Sequence, residues 1–321
     1  MSKELAIGID IGGTKIAAGV VDEDGRVLAR ERADTPGTDP AAVLETIGGM
    51  VDRLQQEHRI VALGIGAAGF IDASGSTVLF APHLAWRNEM LQETASRRTG
   101  LPVHVENDAN ASGWAEWRFG AARNDPDVVM VTLGTGIGGG ILIDGQPYRG
   151  RYGVAGEFGH MQVVPDGLPC ECGNQGCWEQ YASGRVLTRL GRRAAEARTE
   201  LGGRLLEAAG GAAEDIHGSH VVAAARSGDA EAITWMTEIG DWLGVGLANL
   251  AAALDPGVLV VGGGVSDAGE LLLGPARSAF SRTLTGRGYR TEARIVTAHL
   301  GPEAGLIGAA DLARRSARLR S

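Results

Sequence analysis

The sequence predicts an α/β protein built from two related halves, and three observations carry that prediction. A strand–glycine turn–strand unit occurs twice, over residues 5–21 and again over 128–143, each turn holding both glycine and threonine. Apolar strands are followed by helical patterns, the order expected of an α/β sheet. The chain has 321 residues, enough for about two domains with a core each.

In chain order, residues 5–10 read as a strand that turns at Gly12-Gly13 into a second strand over 16–21. Residues 22–25 form a hairpin turn and 26–32 a third strand. Asp39-Pro40 supplies an N-cap and a first-turn proline to a helix with apolar positions Val43, Leu44, Ile47, Val51 and Leu54. Residues 62–67 are a strand, and so are 101–105, which run into Glu106-Asn107-Asp108-Ala109-Asn110 at the start of a helix. The second copy has a strand at 128–133, a turn at 134–138, a strand at 139–143 and a hairpin at Asp144-Gly145. Residues 242–254 are an uncharged stretch too short to span a bilayer and read as a buried core helix. Residues 258–261 are a short apolar strand entering Gly262-Gly263-Gly264. Arg314, Arg315, Arg318 and Arg320 read as the solvated face of a final helix.

Composition excludes several functions. Fifty glycines are about twice the usual share of roughly 7%, but without the three-residue period of collagen. Lysine occurs only as Lys3 and Lys15, so no Gly-Lys pair exists for a Walker A loop, and the motifs of a protein kinase are missing. A net charge of −9 argues against a nucleic-acid partner, and no secretory or membrane segment is evident, which reads as a soluble cytoplasmic protein. Gly134, Gly136 and Gly139 match a dinucleotide fingerprint, but a strand follows them where that motif needs a helix.

Tight glycine turns can offer backbone N–H groups to an anion, or can be hairpin turns only. Asp10, one residue before the first turn, is either a turn aspartate or a Mg²⁺ ligand beside a polyphosphate. Asn107 and Asp108 sit at a strand's C-terminal end, where α/β proteins bind ligands; one could be a helix cap, and an aspartate there could act as general base toward an alcohol. The most specific segment sets His160 ten residues before Cys170, with Cys172 and Cys177 following. Three thiols and an imidazole complete a structural Zn²⁺ set; free thiols are the alternative, and a Cys170–Cys172 disulfide would be strained. Glu157 and Glu179 flank the segment as acceptors suited to sugar hydroxyls.

The runs Asp10-Ile-Gly-Gly-Thr-Lys15, Glu106-Asn-Asp-Ala-Asn110, Leu133-Gly-Thr-Gly-Ile-Gly-Gly-Gly140, Gly156-Glu-Phe-Gly-His160 and the cysteine segment resemble the ROK family of repressors and sugar kinases. The resemblance continues through the glycines at 262–264 to Gly305-Leu-Ile-Gly-Ala-Ala310. It implies an actin-like, ribonuclease-H-like fold with an interdomain cleft: a small domain of 1–109 plus 301–321 and a large domain of 110–300. It also implies an ATP-dependent, zinc-containing glucokinase. Asp108 would be the base toward the sugar C6 hydroxyl. Asn107, Glu157, His160, Glu179 and the backbone near Gly69 would bind the other hydroxyls, His160 also serving Zn²⁺ with Cys170, Cys172 and Cys177. Gly12, Gly13, Thr14, Lys15, Gly134, Thr135, Gly136 and Gly138 would hold phosphates, Asp10 would sit at Mg²⁺, and Gly262, Gly263 and Gly264 would line the adenosine. Glucose and ATP are the implied partners, in a dimer or tetramer. Where close relatives carry Asn after Phe80-Ala81-Pro82, this chain has His83. A kinase for mannose, fructose or an N-acetylhexosamine is the nearest alternative; a polyphosphate-dependent kinase and a sugar-responsive repressor are others.

Overall fold

Alternating β-branched and small residues start the chain as β1 (Leu5–Ile11), which returns as antiparallel β2 (Lys15–Val21) and continues into β3 (Val27–Asp34). These elements belong to a computed structural model that describes residues 4–36, 39–81, 84 and 86–320; His83 lies outside the described residues. The Asp22 carboxylate closes the first hairpin by accepting from the N–H groups of Asp24 and Arg26. α1 (Pro40–Glu57) begins as its sequence predicts, with the Asp39 carboxylate accepting from Ala41 N–H at 2.9 Å. It buries Val43, Ile47, Val51 and Leu54, while Leu44 is only partly covered. β4 (Ile60–Ala67) then pairs parallel to β1. A small sheet of β5 (Phe70–Ile71), β6 (Val78–Phe80) and β7 (Arg87–Glu89) leads through α2 (Leu91–Thr99) to β8 (Val103–Asn107) and α3 (Asp108–Phe119). The first large sheet has the order β3-β2-β1-β4-β8.

The pattern repeats with β9 (Val128–Leu133), β10 (Ile137–Ile143) and β11 (Gln146–Pro147). Positive φ at both Asp144 and Gly145 gives the tight turn that such a hairpin needs. Five helices follow: α4 (Glu179–Ala182), α5 (Gly184–Glu196), α6 (Glu200–Ala208), α7 (Gly218–Arg226) and α8 (Ala230–Leu254). Then come β12 (Val258–Gly262), α9 (Glu270–Thr283), β13 (Arg294–Thr297) and α10 (Ala304–Arg320). The second sheet is ordered β11-β10-β9-β12-β13, the same third-second-first-fourth-fifth arrangement as the first. Two sheets of one topology are what an actin-like, ribonuclease-H-like architecture requires. Among the described residues no helix is long and apolar enough to cross a membrane.

By internal packing the chain divides into two units. The first comprises residues up to Met130, Gly140–Gly156 and the chain from His299 on; the second comprises Val131–Gly139 and Glu157–Ala298. The boundary read from sequence at 109/110 falls inside the first turn of α3, which packs on α10 within the first unit. In that unit α10 lies almost on the backbone of β1, β4 and α3. A Cβ at Gly8, Gly64 or Gly308 would overlap the carbonyl of Leu306, Ala309 or Ala111 respectively. The reading of Arg314 as solvated is corrected: it is 2% exposed, because it turns inward to pair with Asp311 and donates to Val21 O. In the second unit α8 packs on α9, and the indole of buried Trp178 donates to Trp242 O at 2.8 Å.

Candidate functional site

In the first unit the ends of the parallel strands bring acids together. Asp10 pairs with Gly66 across β1 and β4, and Gly66 with Glu106 across β4 and β8. Asn107 caps α3, accepting from the N–H groups of Ala109 and Asn110 at 2.9 and 3.0 Å, and its amide donates to Gly69 O at 3.2 Å. The cap reading of Asn107 thus holds, and the same side chain bonds the backbone of Gly69. Asp108, the first residue of α3, is pushed above the usual carboxylate range by burial, partly offset by the N–H groups of Ala109 and its own residue. Asp10 rises to about 7, first through burial and then through the charge of Asp108. Glu106 goes the other way: burial opposes its charge, but His104 and Arg149 beside it hold it below the usual range. Arg149 Nε donates to Glu106 at 2.7 Å, and Asn110 adds a bond at 3.2 Å. This Glu106–Arg149 pair was not legible in sequence, since 43 residues separate the partners.

The first glycine turn is tied by Gly12 N–H to Lys15 O at 2.9 Å and by the Thr35 hydroxyl to Gly12 O at 2.8 Å. Gly13 and Thr14 are exposed at its tip. Lys15 is the first residue of β2, and its ammonium is engaged by Asp34. In the second unit Gly134 and Thr135 are exposed at the matching tip, and Gly184 N–H donates to Gly134 O at 2.8 Å. Gly136 lies against Glu179, whose carboxylate a Cβ would overlap. Gly138 lies within β10, not in the turn, because the β-branched Ile137 already starts the strand.

Gly134, Thr135 and Gly264 line one cavity of about 470 Å³ in the second unit. Gly262 ends β12, and Gly263, at φ +83°, turns the backbone toward this cavity's wall at Leu133. The remaining walls were missed in sequence: Gly184 and Arg185 open α5, Gly218 and Ser219 open α7, and Asp267 faces them. Two helix N-termini directed at one cavity, with open glycine backbone, suit polyphosphate. Arg185 is held by Glu171 at 2.8 Å.

The second unit also gathers His160, Cys170, Cys172 and Cys177, whose ligand atoms all lie within 4.8 Å of one another. Cys172 and Cys177 sulfurs are 3.6 Å apart, and Cys170 Sγ is 3.7 Å from His160 Nδ1. Ligands about 2.3 Å from a tetrahedral zinc stand about 3.8 Å apart, so the four residues fit the ion. Burial, then the neighbouring thiols, push Cys177 up to about 12, and burial raises Cys170 also. Thiols crowded this closely are what a cation would resolve. Glu179 Oε1 lies 3.4 Å from Cys170 Sγ and 3.9 Å from His160 Nδ1. Glu157 precedes the short 3₁₀ turn Phe158–His160 and accepts from His160 N–H at 3.2 Å. Of the expected sugar-binding residues, Gly69, Asn107 and Asp108 thus belong to the first unit, and Glu157, His160 and Glu179 to the second.

The family model described as ROK family matches residues 6–316. The chain is 51% identical to the glucokinase of Streptomyces coelicolor over 310 residues, 97% of this chain and 98% of that one. It is 35% identical to the glucokinase of Thermotoga maritima over 97% of this chain and 98% of that one. Among solved structures it resembles a ROK family glucokinase from Streptomyces griseus in complex with glucose and AMPPNP. That match has a TM-score of 0.89 and 52% identity and covers 97% of this chain and 99% of the other.

Proposed function

The chain belongs to the ROK family, and from that premise we propose that it phosphorylates D-glucose at the C6 hydroxyl with ATP, Asp108 acting as general base. The carrying observation is Asp108 itself: a part-buried carboxylate at the end of β8, raised above its usual range and close enough to Asp10 for the two charges to repel. A base with raised pKa is better matched to an alcohol's proton. The C6 oxygen attacks the γ-phosphorus and its proton passes to Asp108; the bond from the γ-phosphorus to the bridging oxygen breaks, and ADP leaves with that electron pair. Most of the rate comes from positioning and from backbone donors.

Asn107, Glu157, His160, Glu179 and the backbone at Gly69 orient the sugar. Because His160 directs Nδ1 at Cys170, its Nε2 is the nitrogen left to meet a hydroxyl. The glycine turns with Thr14 and Thr135 hold the phosphates, and the cavity at Gly264 takes the adenosine. Asp10, lifted to about 7 beside Asp108, fits a Mg²⁺ site, since a cation relieves that repulsion. When bound, Mg²⁺ supplies charge neutralisation on the phosphates. Cys170, Cys172, Cys177 and His160 would hold a structural Zn²⁺, which fixes Glu179 next to them. Three reduced thiols fit a cytoplasmic enzyme, and the family resemblance implies a homodimer or homotetramer, which light scattering would measure.

A coupled assay with ATP·Mg²⁺ over a panel of hexoses tests the reading. Glucose should be the preferred acceptor. Poor glucose turnover beside fast turnover of an N-acetylhexosamine or of mannosamine would overturn it.

A further inference from the structure

The first unit contains a second cavity, of about 340 Å³, between α3 and α10. It shares no residue with the groups assigned above. Its aromatic wall starts about 9 Å along α3 from Asp108, at Trp114, and extends to about 13.5 Å, at Trp117, at roughly 1.5 Å per residue.

Buried Trp114 forms one wall, and Trp117 stands against it with ring centroids 4.9 Å apart. The single lining carboxylate, Asp311, is already engaged by three donors. It accepts from Trp114 Nε1 at 2.9 Å and Arg118 Nε at 3.2 Å on one oxygen, and from Arg314 Nη1 at 2.9 Å on the other. Arg314 Nε is buried with no hydrogen-bond partner among the described residues. Arg315 lies 5.1 Å over the Trp114 ring and bonds to the neutral amide of Gln146, not to an acid. Arg318 also lines the cavity and is paired with Glu4 and Glu23.

Of the four lining guanidinium groups, Arg118 and Arg314 share Asp311 and Arg318 is paired outside the cavity with Glu4 and Glu23, which leaves Arg315 as the one lining cation bonded to a neutral group among the described residues. Arg315 without an acid beside it and the buried Arg314 Nε without a partner leave donor capacity at the cavity that an anion could take up. A carboxylate is satisfied by one planar fork, whereas a phosphate dianion takes donors from several directions. Arg118 on α3 and Arg315 on α10 approach from different helices. The volume exceeds that of a phosphate group, and the half-buried face of Trp117 offers an apolar wall to an organic body. We propose that this cavity is a binding site for a small phosphomonoester, separate from the candidate catalytic and nucleotide groups.

Isothermal titration calorimetry of the full chain with inorganic phosphate, glucose 6-phosphate and AMP tests the site and separates a sugar source from a nucleoside one. The wild type is compared with the Arg118→Gln/Arg315→Gln double variant and with Arg315→Lys. At least one ester should show a site whose affinity drops more than tenfold in the double variant and recovers partly in Arg315→Lys. Its binding should quench Trp117 fluorescence, and turnover without the ester should be unchanged. Isotherms of both esters that are identical in all three proteins would overturn the proposal, as would inorganic phosphate binding as tightly as either ester.

Discussion

The two five-stranded sheets share one strand order, yet their strand ends carry different chemistry. Two residues before the first glycine of the turn, β1 has Asp10, whereas β9 has Thr132. The fifth strand of the first sheet, β8, runs into Asn107 and Asp108; that of the second, β13, runs into Thr297 and Ala298. The first unit thus presents two part-buried acids, Asp10 and Asp108, both raised above the usual carboxylate range. The second presents bare glycine backbone, two helix N-termini and a cysteine–histidine cluster. Topology supplies the location, at the C-terminal ends of parallel strands; side chains decide what chemistry that location offers.

This contrast can be broken from either side. Asp108→Asn removes the proposed base from the first unit and should lower kcat by about 10³-fold or more, at unchanged circular dichroism. Cys177→Ser attacks the second unit. Wild-type protein should contain about one Zn²⁺ per chain, and the variant should lose the metal and melt at clearly lower temperature, with elemental analysis and calorimetry as the checks. Glu106→Gln leaves the partly buried Arg149 guanidinium without its counter-charge and should cost about 3 kcal/mol in urea unfolding. Because Glu106 titrates below its ordinary value, its contribution is present above pH about 4.5 and is lost as pH falls through the folded pKa. The variant's deficit should therefore shrink in acid. The smallest effect is expected at Arg185→Gln, which removes one cation from the proposed nucleotide cavity: KM for ATP should rise severalfold while KM for glucose stays constant.

Features set by local spacing were legible in the sequence. Asp39 caps α1, the turns at 12–14 and 134–136 form, and the cysteines converge on His160, each because nearby residues dictate it. Long-range partners were not. The return of α10 against Gly8 and Gly64, the burial of Arg314 and the α5 and α7 walls of the cavity depend on contacts with no signature within a single segment. Gly138 was placed in a turn because glycine there outweighed Ile137, whose branched side chain extends β10. The domain boundary at 109/110 failed to register that α3 buries Ala111 and Trp114 within the first unit.

The most direct measurement is calorimetric glucose binding to Asp108→Asn alongside its turnover with ATP·Mg²⁺. Retained glucose affinity with kcat reduced by about three orders of magnitude is the result expected of a general base. Near-normal kcat in that variant would contradict the assignment.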